Sequence, residues 1–204
     1  MKKDLGILVN PDMKFKDQVS AASKKANKIL GMIKRNFKCM NQEMLQILYG
    51  TLVRPHLEYA VTVWSPYQQE QKNILEKVQR RATKMISNWK NLSYEERLSK
   101  LDLMTTEERR RRGDMITTYK ILQGNIDLGR SILEINTDSR TRGHNKKLII
   151  KGTRKEYRRN FFTRRVQKEW NNLGQRVIES GTVSTFKKAY DQEKRTTQRG
   201  RTSV

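Results

Sequence analysis

The sequence predicts a mainly α fold: a helical bundle preceded by a short N-terminal strand and followed by a small basic C-terminal module holding one short strand. Three observations carry this expectation. Apolar residues recur at three- and four-residue spacing over long stretches, most clearly at Ile74, Leu75, Val78, Ala82, Met85, Ile86 and Trp89. Helix-start chemistry occurs at Asn41, Ser93 and Thr105. Only Leu5 to Val9 and Leu148 to Ile150 have the length and turn-forming flanks of strands.

In chain order, Leu5 to Val9 closes on the turn signal Asn10-Pro11-Asp12. It is expected as a lone strand without a partner, as if a domain had been cut, and occupies residues 1–15 with its turn. Val19, Ala22, Ala26, Ile29, Leu30, Ile33 and Phe37 then predict a helix over about 16–38, with Lys24, Lys25, Lys28 and Arg35 on the other side. Asn41 caps a second helix bearing Met44, Leu45, Leu48, Tyr49 and Leu52, which kinks near Pro55 because the proline ring clashes with the preceding turn. A further helical stretch, about 56–64, stops at Pro66, and the fourth helix covers about 74–89. Ser93-x-x-Glu96 and Thr105-x-x-Glu108 match capping boxes and start two more helices, the second reaching Gly124. The helical domain thus spans 16–124.

Asn125 to Arg140 has few bulky residues and no period, and is expected as a linker. Lys147 to Lys151, flanked by Gly143 and Gly152, predicts a strand. Phe161, Phe162, Val166 and Trp170 predict a helix over about 158–172 that buries its rings, and Ser184 is expected to cap a last helix bearing Phe186, Ala189 and Tyr190. Together they form a C-terminal module over 141–191. Residues 192–204 have no large apolar residue before Val204 and are expected to be a disordered tail.

A hydrophobic fraction of 35% over 204 residues leaves a modest core. The 44 Lys and Arg against 21 Asp and Glu give a formal charge of +23, which points to a polyanionic partner. The excess is uneven: residues 139–204 carry 19 basic and 5 acidic groups. A membrane partner is not expected, because the basic residues do not oppose one bulky apolar face and no lipidation motif is present. The single Cys39 excludes an internal disulfide, and with His56 and His144 it falls short of a four-ligand structural zinc site. The N-terminal apolar run is too brief for a signal peptide, and no stretch approaches the ~20 apolar residues of a spanning helix. An intracellular location follows, nucleus or cytoplasm or both, and not secretion.

Nucleotidyl transfer needs carboxylates that hold two divalent metals. The aspartates here stand singly, and Glu107, Glu108 and Asp114, which share one helix, are accounted for by capping and by pairing with Arg110 to Arg112. No phosphate loop exists, and neither histidine lies in a nucleophile motif. The chain alone is expected to be neither an enzyme nor a holder of cofactors.

Three regions are candidates for binding a polyanion. Arg109 to Arg112 covers slightly more than one turn, so its guanidinium groups fan around the axis and at least one faces the protein. Arg109, Arg110 and Arg112 are candidates for phosphate contact; pairing with the neighbouring carboxylates is the alternative. On the fourth helix Lys77, Arg81 and Lys84 repeat at four and three residues in a row about 10 Å long, with Arg80 beside them. Such a row suits a phosphate track, and a solvated face eased by Glu76 is the alternative. Third, Thr141-Arg142-Gly143-His144 through Arg154 to Phe162 interleaves cations with aromatic rings. Arg142, Tyr157, Arg158 and Arg159 are the candidate contacts there, and His144 either binds phosphate or is an exposed loop residue.

The series Tyr49-Gly-Thr-Leu-Val-Arg54-Pro55-His56-Leu-Glu58-Tyr59-Ala60, then Val63-Trp64-Ser65-Pro66-Tyr67, then Leu75 to Lys84, resembles the segment after the catalytic palm in reverse transcriptases of non-LTR (LINE-type, Jockey-like) retrotransposons. Gly31 to Phe37, Arg109 to Asp114, Tyr119 to Gly124, Thr141 to His144, Asn160 to Phe162 and Val166 to Asn171 extend it across nearly the whole chain. A proline that many relatives place after Trp-Asn-Leu is Gly174 here. The resemblance implies that the N-terminal strand closes the palm, that the helical domain is thumb-like, and that Arg54 joins the candidate contacts. It further implies a partner in RNA or an RNA–DNA hybrid, held mainly through phosphates, and in the upstream fingers and palm, where the two divalent ions belong. The expected function is thus that of a polymerase fragment which grips template–primer without its chemistry. The alternative is a host-adopted nucleic-acid-binding protein of the same origin, used for regulation or packaging.

Overall fold

Helices dominate the computed structural model, which describes residues 2–89, 91–126, 132–137 and 143–201, with side chains to residue 197. The chain divides into two units, Met1–Arg111 and Arg112–Val204.

The first unit opens on an antiparallel hairpin, β1 (Lys2–Asp4) and β2 (Ile7–Val9), with Asp4 opposite Ile7. The expectation of a lone strand over Leu5 to Val9 is therefore corrected. Leu5 and Gly6 are the two turn residues, both at positive φ (43° and 84°), the geometry that a two-residue hairpin turn requires. Polar Lys2, Lys3 and Asp4 gave the partner strand no apolar signature. The Gln18 side chain accepts from the Leu8 amide at 2.9 Å and so ties the hairpin to the first helix.

That helix, α1 (Lys16–Asn36), buries Val19, Ala22, Ala26, Leu30 and Ile33, the face expected from their spacing. Asn41 caps α2 (Gln42–Leu48), accepting from the Met44 amide at 2.8 Å. The kink expected near Pro55 is a widened turn over Tyr49–Val53, where the Arg54 amide reaches back five residues to the Tyr49 carbonyl. Pro55 has no N–H to offer and its ring crowds the carbonyl one turn earlier, so the chain gains a residue before α3 (Arg54–Glu58). A short α4 (Val61–Trp64) places Trp64 fully inside.

The fourth expected helix is α5 (Gln69–Thr83), which starts earlier and ends sooner than its apolar stripe indicates. Leu75, Val78, Ala82 and Ile86 are all buried, but the chain leaves the α-helix after Thr83 and passes through a tight turn over Ser87–Trp89. Apolar spacing reports the side facing the core and not the hydrogen-bond ladder. Ser93 forms its capping box at the start of α6 (Tyr94–Lys100), and Thr105 and Glu108 bond reciprocally before α7 (Thr106–Leu122).

A buried polar chain crosses this core. Tyr49 donates to the Gln79 carbonyl oxygen at 2.7 Å, and Gln79 donates to Tyr94 at 3.1 Å and to the Met104 carbonyl at 2.9 Å. Tyr94 in turn donates to Glu76, whose other oxygen accepts from the Thr106 amide at 2.9 Å and from its hydroxyl. Glu76 is thereby a second cap for α7 and not a solvated neighbour of the basic row.

In the second unit, Leu133 is 2% exposed inside the core although it lies in the stretch expected as a linker. The strand expected around Leu148 is a single antiparallel bridge, and its partner is Ile135 from that same stretch. Asn171 pins it, accepting from the Leu148 amide at 2.7 Å and donating to the Leu148 carbonyl at 2.8 Å. The helix expected over 158–172 is two, α8 (Glu156–Arg159) and α9 (Phe162–Asn171). Phe162 and Trp170 are buried as expected, but Phe161, just before α9, is 45% exposed. A short α10 (Gln175–Ile178) follows Gly174, whose amide donates to Glu193, a bond that proline cannot make. The last helix, α11 (Val183–Arg201), is capped by Thr182 through a reciprocal bond with Thr185, and not by Ser184. It runs through most of the expected tail, where Thr196 and Thr197 bond back to carbonyls one turn earlier. Tyr119 stacks on Phe186 with ring centres 4.3 Å apart, and Asp114 takes a bidentate grip from Arg165 at 2.8 Å per bond.

Candidate nucleic-acid interface

Four of the predicted contacts converge on one cleft in the first unit. Lys77, Arg80 and Arg81 come from α5 and Lys84 from the residue after it; Lys34 enters from the last turn of α1 and Lys38 from just beyond it. The cleft measures about 730 Å³, its six cations are exposed, and among the described residues no carboxylate lines it. Leu30, Phe37 and Met85 form its apolar part. Glu76, the carboxylate nearest in sequence, is turned to Tyr94 and Thr106 and does not line the cleft. Two cations are oriented: Arg80 lies over the Tyr94 ring at 4.2 Å, and Arg81 donates to Asn27 at 3.4 Å. Burial, followed by the bond to Glu76, pushes the Tyr94 hydroxyl pKa well above its ordinary value, so it stays protonated and donating.

Lys34, Phe37 and Lys38 were missed by the sequence reading. A signal was present: between Asp17 and Glu43 every charged residue is basic. Helical spacing alone did not tell which of those cations face α5.

The arginine run is largely absorbed by the fold. Arg109 pairs with Glu58, and Arg112 makes a bidentate bond to Asp191 at 2.6 and 2.8 Å. Arg110 is 4% exposed, which corrects its assignment as a surface contact. Burial opposes ionisation of Glu107, but the Lys72 bond at 2.8 Å and the nearby Arg111 and Arg110 outweigh it and hold the carboxyl below its ordinary pKa. Pairing with carboxylates thus prevails at Arg109 and Arg112, through partners distant in sequence. Arg54, half-buried, lies 3.7 Å from Glu58.

In the second unit His144 is 3% exposed, and its Nε2 donates to the Trp170 carbonyl at 3.1 Å. Neither expected role, phosphate contact or exposed loop residue, survives: the imidazole is part of the packing around Trp170. Burial lowers its pKa, opposed by the Trp170 bond and helped by Lys147. Arg142 lies outside the described residues. Arg158 and Arg159 on α8, with Arg154, Lys155 and Tyr157, are exposed and remain open to a ligand.

No protein-family model matches the chain, and no curated protein or solved structure matches it either. Among the described residues, no helix is long and apolar enough to cross a membrane.

Proposed function

We propose that the chain is the nucleic-acid-gripping, thumb-like part of an RNA-directed DNA polymerase of the non-LTR retrotransposon type, with the catalytic palm upstream. The cleft between α1 and α5 supports this reading: among the described residues six cations and no carboxylate line one concave surface, and four of the cations belong to the stretch that resembles the post-palm region. Lysines and arginines so placed neutralise successive phosphates and release counter-ions. The motif series in the sequence supports the identity of the polyanion as RNA or an RNA–DNA hybrid.

Binding measured against salt tests it. Neutralising about six phosphates gives a log–log slope near −5 for a duplex. Changing Arg81 and Lys84 to Glu is expected to weaken binding at least tenfold and flatten the slope. A salt-independent affinity, or full binding by that double variant, removes the cleft from the account.

A further inference from the structure

The first-unit cleft contains more than cations, and its apolar part has no use for phosphates. Phe37 is 38% exposed, a large ring left open to solvent at the end of α1. Its backbone N–H donates a hydrogen bond to the Ile33 carbonyl at 2.9 Å, which anchors the backbone that bears the ring. Half-buried Met85 adds a soft, polarisable thioether to the same surface, and Leu30, 1% exposed, belongs to the core beneath it. Lys34 and Lys38 flank Phe37 in sequence, and Lys77, Arg80, Arg81 and Lys84 complete the surround.

We propose that Phe37 is a stacking platform for a nucleobase, so that the cleft prefers a strand with unpaired bases, single-stranded RNA or DNA, over a closed duplex. This rests on the reading of the cleft as a nucleic-acid site. A duplex keeps its base faces stacked internally and presents backbone and groove edges to a protein surface, which leaves an exposed ring without a π-face to stack on. An unpaired strand offers both chemistries at once: phosphates for the cations and a π-face for the ring. The volume of about 730 Å³ falls within the range of roughly 300–1,000 Å³ typical of sites that enclose compact ligands, enough for unpaired bases. An anionic membrane is less well matched, because one ring and two flanking side chains do not make a continuous apolar face.

The test uses the full chain, a short oligouridine, an abasic oligonucleotide of equal length, and phosphatidylserine vesicles. Wild type is expected to bind oligouridine about tenfold more tightly than the abasic strand. Phe37→Ala and Phe37→Leu are expected to lose that advantage while binding the abasic strand unchanged, and Phe37→Tyr to keep it. The leucine variant preserves apolar volume, so its loss reports stacking and not collapse of the fold. Phe37→Trp is expected to be quenched by oligouridine and not by the abasic strand. Equal wild-type affinity for the two strands overturns the proposal, as does a Phe37→Ala effect confined to vesicles. If Arg81→Glu with Lys84→Glu leaves every ligand bound as before, the cleft itself is not the site, a failure separate from that of Phe37.

Discussion

Single residues in this chain take their roles from what surrounds them. Ser93 is worth its half of the capping box: Ser93→Ala removes the side-chain partner of the Glu96 amide at the start of α6 and is expected to cost about 1 kcal/mol in thermal or urea unfolding. His144 has a depressed pKa in the folded state because burial disfavours its charge. The unfolded chain, titrating near the ordinary 6.5, therefore binds the proton first, and stability is full above that value and falls as pH drops toward the folded pKa. Melting temperature should decline from pH 7 to about pH 5, and His144→Gln should flatten that part of the decline; an identical profile in the variant would exclude His144 as the cause. Glu107 has the same sign at lower pH: its contribution is present above the ordinary carboxylate value and is lost as pH falls through the folded one. His144 also marks a limit of sequence reading. Nothing beside it in the chain announces Trp170, which is 26 residues away.

At the scale of elements, caps and apolar stripes were legible because their causes are local. Asn41, Ser93 and Thr105 act on amides within three residues, and the faces of α1 and α5 follow from helical spacing. The hairpin partner, the Ile135–Leu148 bridge and the continuation of α11 were not, since each depends on contacts or weak local preferences that apolar patterning does not report. Gln79 shows how elements are joined: it links Tyr49, Tyr94 and the Met104 carbonyl. Gln79→Leu leaves two buried hydroxyls and a carbonyl with fewer partners and is expected to cost roughly 1–3 kcal/mol. In the second unit the bond pair between Asp114 and Arg165 is the matching joint, and Asp114→Ala, which strands a largely buried guanidinium, is expected to cost about 3–5 kcal/mol. Denaturant midpoints check both; a change within error for either would mean that its network relaxes without loss.

For the whole molecule the dominant property is charge. With a formal charge of +23, mutual repulsion opposes the folded state and counter-ions relieve it. The melting temperature is expected to rise between dilute buffer and about 0.3 M sodium chloride, and a nucleic-acid ligand in excess over its dissociation constant should raise it further by mass action. Flat melting across that range would mean that the cations are already well separated.

The sequence by itself determined the helical class, the core-facing sides of α1 and α5, and the excess of positive charge, because propensity, spacing and composition act over a few residues or none. Only the tertiary structure decided which cations are available. It turned Arg109, Arg110 and Arg112 into the fold, closed His144 over Trp170, and brought Lys34 and Lys38 beside the basic row of α5. An ionised side chain is spent or free according to the partner that packing delivers, and that partner usually lies far along the chain.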